Sequence, residues 1–166
     1  AAPYSLTTSS NLSSSRALRD VTEQYGGEYF AAAVGEVNVT TKMRECGAVI
    51  GGEGNGGVIY PALHYGRDAI VGVALFLTNL AYKKVKVSEL RASYPEYVIA
   101  KNKIELSDNA LIDSILEAVE IKYAAEDINT IDGVKISFEE RKEWVHLRRS
   151  NTEPIIRIYA EAATAE

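Results

Sequence analysis

Two short polar segments of this 166-residue chain carry the groups suited to gripping a small ligand. The first is Gly52-Glu53-Gly54-Asn55-Gly56-Gly57. Glu53 and Asn55 stand two apart, so in extended backbone both side chains project to one side. A carboxylate accepts hydrogen bonds and a carboxamide also donates them, a pairing that suits adjacent hydroxyls, as on a sugar ring. The second segment is Arg148-Arg149-Ser150-Asn151-Thr152-Glu153-Pro154, with Arg157 on the strand that follows. Arg148 supplies charge and a planar fork matched to phosphate, and Arg157 can add to it. Ser150, Asn151 and Thr152 supply hydroxyl and amide donors. Each charged hydrogen bond contributes roughly 1.5–3 kcal/mol net, so a few converging on one phosphate make a useful anchor.

Each segment also has a plainer reading. The glycine-rich stretch can be a mobile turn, and the arginine-bearing one a solvated hairpin, because turns favour Ser and Asn. Nucleotide readings fail on context. A G-x-G-x-x-G fingerprint needs a helix start at the loop, so that free amides meet a pyrophosphate. Here Val58-Ile59-Tyr60-Pro61 follows, extended and then interrupted by proline, and no Lys-Ser or Lys-Thr closes a P-loop. His64 and His146 are too few and too far apart in sequence for a metal site. His146 reads as structural; His64 lies close behind the glycine segment and is a further candidate for the same ligand. Cys46, the single cysteine, excludes an internal disulfide and reads as a buried or half-buried small residue.

The elements that must position these groups follow from pattern. Residues 4–8 read as a strand, 9–15 as a serine-rich turn, and 16–25 as a helix stopped by Gly26-Gly27. A buried strand over 29–34, a helix over 37–45 closed by Gly47, and a strand over 48–50 lead into the glycine segment. The mostly apolar helix over 67–82 is expected to be sandwiched. Strands alternating with helices imply a mainly parallel sheet, in which ligands gather at the carboxyl ends of the strands. Residues 87–94 read as a linker. A strand over 97–106, a helix over 107–123 capped by Ser107, and strands over 134–138, 144–147 and 155–160 follow. The expected fold class is therefore α/β: a mainly parallel α/β/α domain over 1–87, then a smaller α+β domain with an antiparallel sheet over 88–166. Helical composition over 162–166, and the absence of a lead-in before the first strand, make both ends read as cut.

Composition narrows the function classes. Apolar residues make up 46% of the chain, enough for packed cores. A net charge of −5 offers no general attraction to nucleic acid or an anionic membrane. The longest apolar run, 69–77, contains Gly72 and is too short to span a bilayer. No secretory leader opens the sequence, so a cytoplasmic location is expected.

In combination these segments resemble the α-D-phosphohexomutases, in their phosphoglucomutase/phosphomannomutase branch. Gly51 through Pro61 followed by His64-Tyr65-Gly66-Arg67-Asp68 is similar to the family's third domain. Arg148 through Pro154 followed by Ile155-Ile156-Arg157 is similar to the phosphate loop of its fourth domain. Val34-Gly35-Glu36-Val37-Asn38-Val39 and Leu12-Ser13-Ser14-Ser15-Arg16-Ala17 fit the same branch.

The resemblance implies the carboxy-terminal half of a mutase that interconverts hexose 1-phosphate and hexose 6-phosphate through a phosphoserine. Glu53 and Asn55 would hold the O3 and O4 hydroxyls. Arg148, Ser150, Asn151, Thr152 and Arg157 would hold the phosphate that is not reacting. The missing partners would be domains 1 and 2 of the same chain, which carry the serine nucleophile and the Mg2+ ligands. Departures matter too. Neither Ser-His-Asn-Pro nor Asp-x-Asp-x-Asp occurs here, so the chain alone is expected to be inactive and to bind no metal. Many members read Gly-Glu-x-Ser-Gly-His in the sugar loop, where Asn55 and Gly57 stand here. The choice among glucose, mannose and glucosamine stays open, as do a phosphoglucosamine mutase and a non-catalytic sugar-phosphate binding module.

Overall fold

A computed structural model describes residues 6–106, 110–150 and 153–165. It divides into two compact units, Ala1–Glu96 and Tyr97–Glu166. In the first, β1 (Thr8–Asn11), α1 (Ala17–Gln24), β2 (Tyr29–Ala32), α2 (Glu36–Cys46) and β3 (Ile50–Glu53) alternate as expected. Then come β4 (Gly57–Tyr60), β5 (His64–Arg67), α3 (Ala69–Lys83) and α4 (Val87–Ala92). The strand order is β2-β1-β3-β4-β5. β1 pairs in parallel with both β2 and β3, and β4 and β5 extend the sheet antiparallel.

The parallel part dictates the position of the site. Strands β1, β2 and β3 end at Asn11, Ala32 and Glu53, so their carboxyl ends lie on one edge of the sheet. One face is closed by α2, whose Val39 and Met43 are fully buried in a core with Ala32, Ala48 and Ile59. Each such apolar side chain contributes roughly 1.5–3 kcal/mol on burial. Cys46 is half-buried against that core.

Several expectations are corrected. The first strand occupies Thr8–Asn11, so it overlaps the expected strand only at Thr8 and otherwise lies in the stretch read as a serine-rich turn. All four residues are buried, and side-chain bonds replace the apolar alternation that would have announced them. Thr8 Oγ1 lies 2.8 Å from Thr22 Oγ1, and Ser10 Oγ 2.9 Å from the Tyr29 hydroxyl. Tyr4 and Ser5 of the expected strand lie outside the described residues. The segment read as a linker forms α4, held by Leu90, which is buried, and by Glu89 accepting from the Lys86 amide at 2.8 Å. α3 is less enclosed than expected. Gly72 lets it lie against Val58 of β4, but Ile70, Val73 and Leu77 are 83%, 57% and 54% exposed.

The second unit holds β6 (Val98–Glu105), α5 (Ala110–Lys122), β7 (Asp127–Asn129), β8 (Val134–Phe138), β9 (Glu143–Arg149) and β10 (Ile155–Ala162). Its sheet is antiparallel throughout, in the order β6-β10-β9-β8-β7. α5 packs on β8 and β9. Its expected cap, Ser107, lies outside the described residues. Where a closing helix was expected, β10 runs on to Ala162, and residues 163–165 are not helical. The two units together are the α/β domain and the antiparallel α+β domain expected from pattern.

Candidate functional site

At the carboxyl edge of the parallel strands, Glu53 ends β3 with a side chain only 7% exposed. Its Oε1 accepts from Asn11 Nδ2 at 2.9 Å and from the Gly35 amide at 3.3 Å. These donors sit at the end of β1 and just beyond β2, so all three parallel strands converge on one carboxylate. Oε2 is held more loosely, 3.5 Å from Asn55 Nδ2 and 3.7 Å from the Arg67 guanidinium.

A tight turn joins β3 to β4, closed by the Gly56 amide donating to the Glu53 carbonyl at 3.1 Å. Asn55 Oδ1 accepts from the Gly57 amide at 3.0 Å. That bond fixes the amide's orientation and leaves Nδ2 beside Glu53 Oε2. An acceptor and a donor therefore stand side by side, the arrangement two neighbouring hydroxyls require.

Arg67 completes the cluster. Its Nε donates to Glu36 Oε2 at 2.8 Å, and its amide donates to Glu36 Oε1 at 3.1 Å. The Arg67 amide, and after it the guanidinium, hold the Glu36 carboxyl below the usual carboxylate range. Gly57 lets Arg67 cross here, because a Cβ at 57 would lie 2.5 Å from Arg67 Cδ.

Two spaces adjoin the turn. One of about 290 Å3 is bordered by Glu53 together with Ser10, Leu18 and Val58. The other, about 530 Å3, is bordered by Glu36, Asn55, Gly57 and Arg67. Asn55 and Arg67, the groups nearest Glu53 Oε2, line the second, while Glu53 itself borders the first. His64 is engaged elsewhere: its Nε2 lies 3.0 Å from Asp68 Oδ2. Asp68 also caps α3, accepting from the Val71 amide at 2.9 Å. That amide, and then His64, hold its carboxyl below the usual range.

In the second unit, Arg148 on β9 and Arg157 on β10 are direct cross-strand partners. Residues paired this way project from the same sheet face, and like charges so placed destabilise a sheet unless something neutralises them. Arg157 lies 3.8 Å from Glu153 Oε2. Arg148 is 14% exposed, and its Nε lies 3.3 Å from Asp132 Oδ2. That contact is an ion pair without hydrogen-bond alignment, and among the described residues this buried Nε has no hydrogen-bond partner. Arg149 turns to Asp113 at 3.6 Å.

Gly133, at φ +77°, lets the preceding loop press against β9, since a Cβ there would lie 2.8 Å from Arg148 Cα. The Asp132 carbonyl consequently accepts from His146 Nε2 at 2.6 Å. His146 is fully buried, and burial, followed by the Lys135 and Arg148 charges, pushes its pKa down. The structural role read for His146 fits this setting. Ser150 is buried and its amide donates to the Ile155 carbonyl at 3.0 Å. Asn151 and Thr152 lie outside the described residues.

Glu53 with Asn55, and Arg148 with Arg157, are thus brought together as neighbours within their units. Asn11, Glu36 and Arg67 were missed. The single hint was that Asn11 and Glu36 stand where parallel strands give out, and that hint needs strand boundaries which the polar β1 hid. Among the described residues no group of three or more His, Cys, Asp or Glu is placed to hold a metal ion. No helix among them is long and apolar enough to cross a membrane.

Residues 3–97 match the family described as "Phosphoglucomutase/phosphomannomutase, alpha/beta/alpha domain III", and residues 83–166 match "Phosphoglucomutase/phosphomannomutase, C-terminal domain". The chain belongs to the phosphoglucomutase/phosphomannomutase family. Among its relatives is a probable phosphoglucosamine mutase of Methanopyrus kandleri, 35% identical over 158 residues, covering 94% of this chain and 34% of the relative. A phosphoglucomutase/phosphomannomutase of Thermococcus kodakarensis is 36% identical over 157 residues, covering 93% of this chain and 34% of that protein. A solved structure of a phosphoglucomutase/phosphomannomutase family protein from Burkholderia thailandensis aligns with a TM-score of 0.79 at 27% identity, covering 97% of this chain and 34% of that one. The chain spans about a third of the length of the curated relatives it matches.

Proposed function

We propose that this chain is the substrate-holding part of a cytoplasmic hexose-phosphate mutase, with one unit recognising sugar hydroxyls and the other a phosphate. The observation that carries the reading is this division of labour. An acceptor–donor pair, the Glu53 carboxylate with the Asn55 carboxamide, stands at the carboxyl edge of the first sheet, and facing arginines stand on the second. Ser150, Asn151 and Thr152 add donors to the phosphate grip. The whole enzyme would interconvert hexose 1- and 6-phosphates, with its serine nucleophile and Mg2+ supplied by domains outside this sequence. Phosphoryl transfer relies mostly on positioning and charge stabilisation, which is the part such contacts contribute. The chain by itself would bind without turning over.

The relative called a probable phosphoglucosamine mutase favours a second reading, in which the sugar carries a 2-amino group. Amide-shift titration of the chain separates these readings. Glucose 1-phosphate, glucosamine 6-phosphate, free glucose and inorganic phosphate are the ligands. Both phosphate esters are expected to shift residues 53–57 and 148–150, and inorganic phosphate only the latter. Stronger binding of the amino sugar selects the second reading. No shift at either segment with any ligand at about 10 mM, where only binding weaker than roughly 3 kcal/mol escapes, overturns the proposal.

A further inference from the structure

The strand register of the second sheet carries the facing arginines one strand further. Arg157 pairs with Arg148 on β9 on one side and with Lys103 on β6 on the other. Direct cross-strand partners share a face, and neighbouring strands lie about 4.8 Å apart, so three cations form one row across three strands. Lys103 lies well away from both arginines in the sequence and belongs to no loop.

We infer that Lys103 is a third cation of the phosphate site, set beside Arg157 by register and closing the row opposite Arg148. The inference rests on the reading of Arg148 and Arg157 as phosphate contacts.

Each member of the row leans on an acidic neighbour rather than on the next cation. Lys103 Nζ lies 2.7 Å from Glu105 Oε1, Arg157 lies 3.8 Å from Glu153, and Arg148 lies 3.3 Å from Asp132. The Lys103–Glu105 pair is exposed on both sides, and an exposed pair of this kind holds weakly. A phosphate dianion bridging two or three cations displaces it readily. The Lys103 ammonium is held above its usual range chiefly by Glu105, with Glu153 adding and Arg157 opposing, so it lies within the field of the Arg157–Glu153 pair. Lys101 is the natural control. It sits on the same strand and face but one row away, 5.4 Å over the Tyr159 ring.

The test is a calorimetric titration of the whole chain with inorganic phosphate at low ionic strength, with a thermal melt of each variant to establish folding. K103Q is expected to weaken binding about fivefold, the size of one exposed charge contact. K103R should stay within about twofold of the parent, because it restores the charge, and K101Q should do the same. Unchanged binding in K103Q overturns the inference and leaves the phosphate reading standing, as does equal weakening by K103Q and K101Q. A parent chain that takes no phosphate overturns both.

Discussion

The two units organise their polar clusters in opposite ways. In the first, the Glu53 side chain is 7% exposed and one oxygen already holds Asn11 and the Gly35 amide, while the other lies 3.5 Å from Asn55 Nδ2. In the second, Arg148 and Arg157 face each other across neighbouring strands, each steadied by a nearby carboxylate. The first cluster is organised by neutral donors and a glycine turn, and on the proposed function it would select by geometry. The second is a concentration of like charge, and on the proposed function it would select by electrostatics.

That contrast can be broken most sharply at Arg148. Arg148→Met is expected to weaken inorganic phosphate about 10- to 100-fold, since each charged hydrogen bond contributes roughly 1.5–3 kcal/mol. Calorimetry gives the affinity, and glucose 1-phosphate at high concentration should still shift residues 53–57. Loss of both responses together would show that the two sites are not independent.

Glu53→Gln tests the other side. Its carbonyl can still accept from Asn11 and Gly35, but its amide then replaces Oε2 and presents a donor beside Asn55. The extra affinity of a sugar phosphate over inorganic phosphate, about fivefold to tenfold for one lost hydrogen bond, should disappear. Affinity for inorganic phosphate should not move.

A smaller effect concerns pH. His146 has its pKa pushed below the usual value of about 6.5, so below that pH the unfolded chain binds more protons than the folded one. Stability should therefore fall as pH drops through about 6.5 and below, and be unaffected by this group above about 7. Melting curves of the parent and of His146→Gln between pH 5.5 and 7.5 check this, the variant showing the shallower slope.

The smallest effect sharpens the comparison from inside the fold. Ser9 Oγ is buried on β1 without a hydrogen-bond partner among the described residues. Ser9→Ala should leave stability unchanged or raise it by up to about 1 kcal/mol. A loss of more than that by denaturant melting would show that this hydroxyl has a partner after all.

Much of this was legible in the sequence because it depends on local chemistry. Gly47 ends α2 in the left-handed conformation, as its position predicts. Glu53, Asn55, Arg148, Ser150 and Arg157 stood out by type and spacing within short segments. What stayed hidden depends on partners distant in the chain. β1 is polar because its side chains bond to Thr22 and Tyr29 rather than packing on apolar neighbours. β5 is a four-residue strand joined to β4 across an irregular register at Ile59 and Tyr60, a weak pattern by any period. Asn11 and Arg67 meet Glu53 and Glu36 across 42 and 31 residues of sequence, and Lys103 meets Arg157 through strand register, none of which one short segment can show.

The polar β1 has a practical consequence. Residues 7–15 look hydrophilic enough to serve as a surface epitope, yet Thr7 through Leu12 are buried between β2 and β3. An antibody raised against that peptide would ignore the folded chain and capture the opened one. The least greasy strand of the first unit would thus act as its own reporter of integrity, useful wherever misfolded material has to be told from native in a mixture.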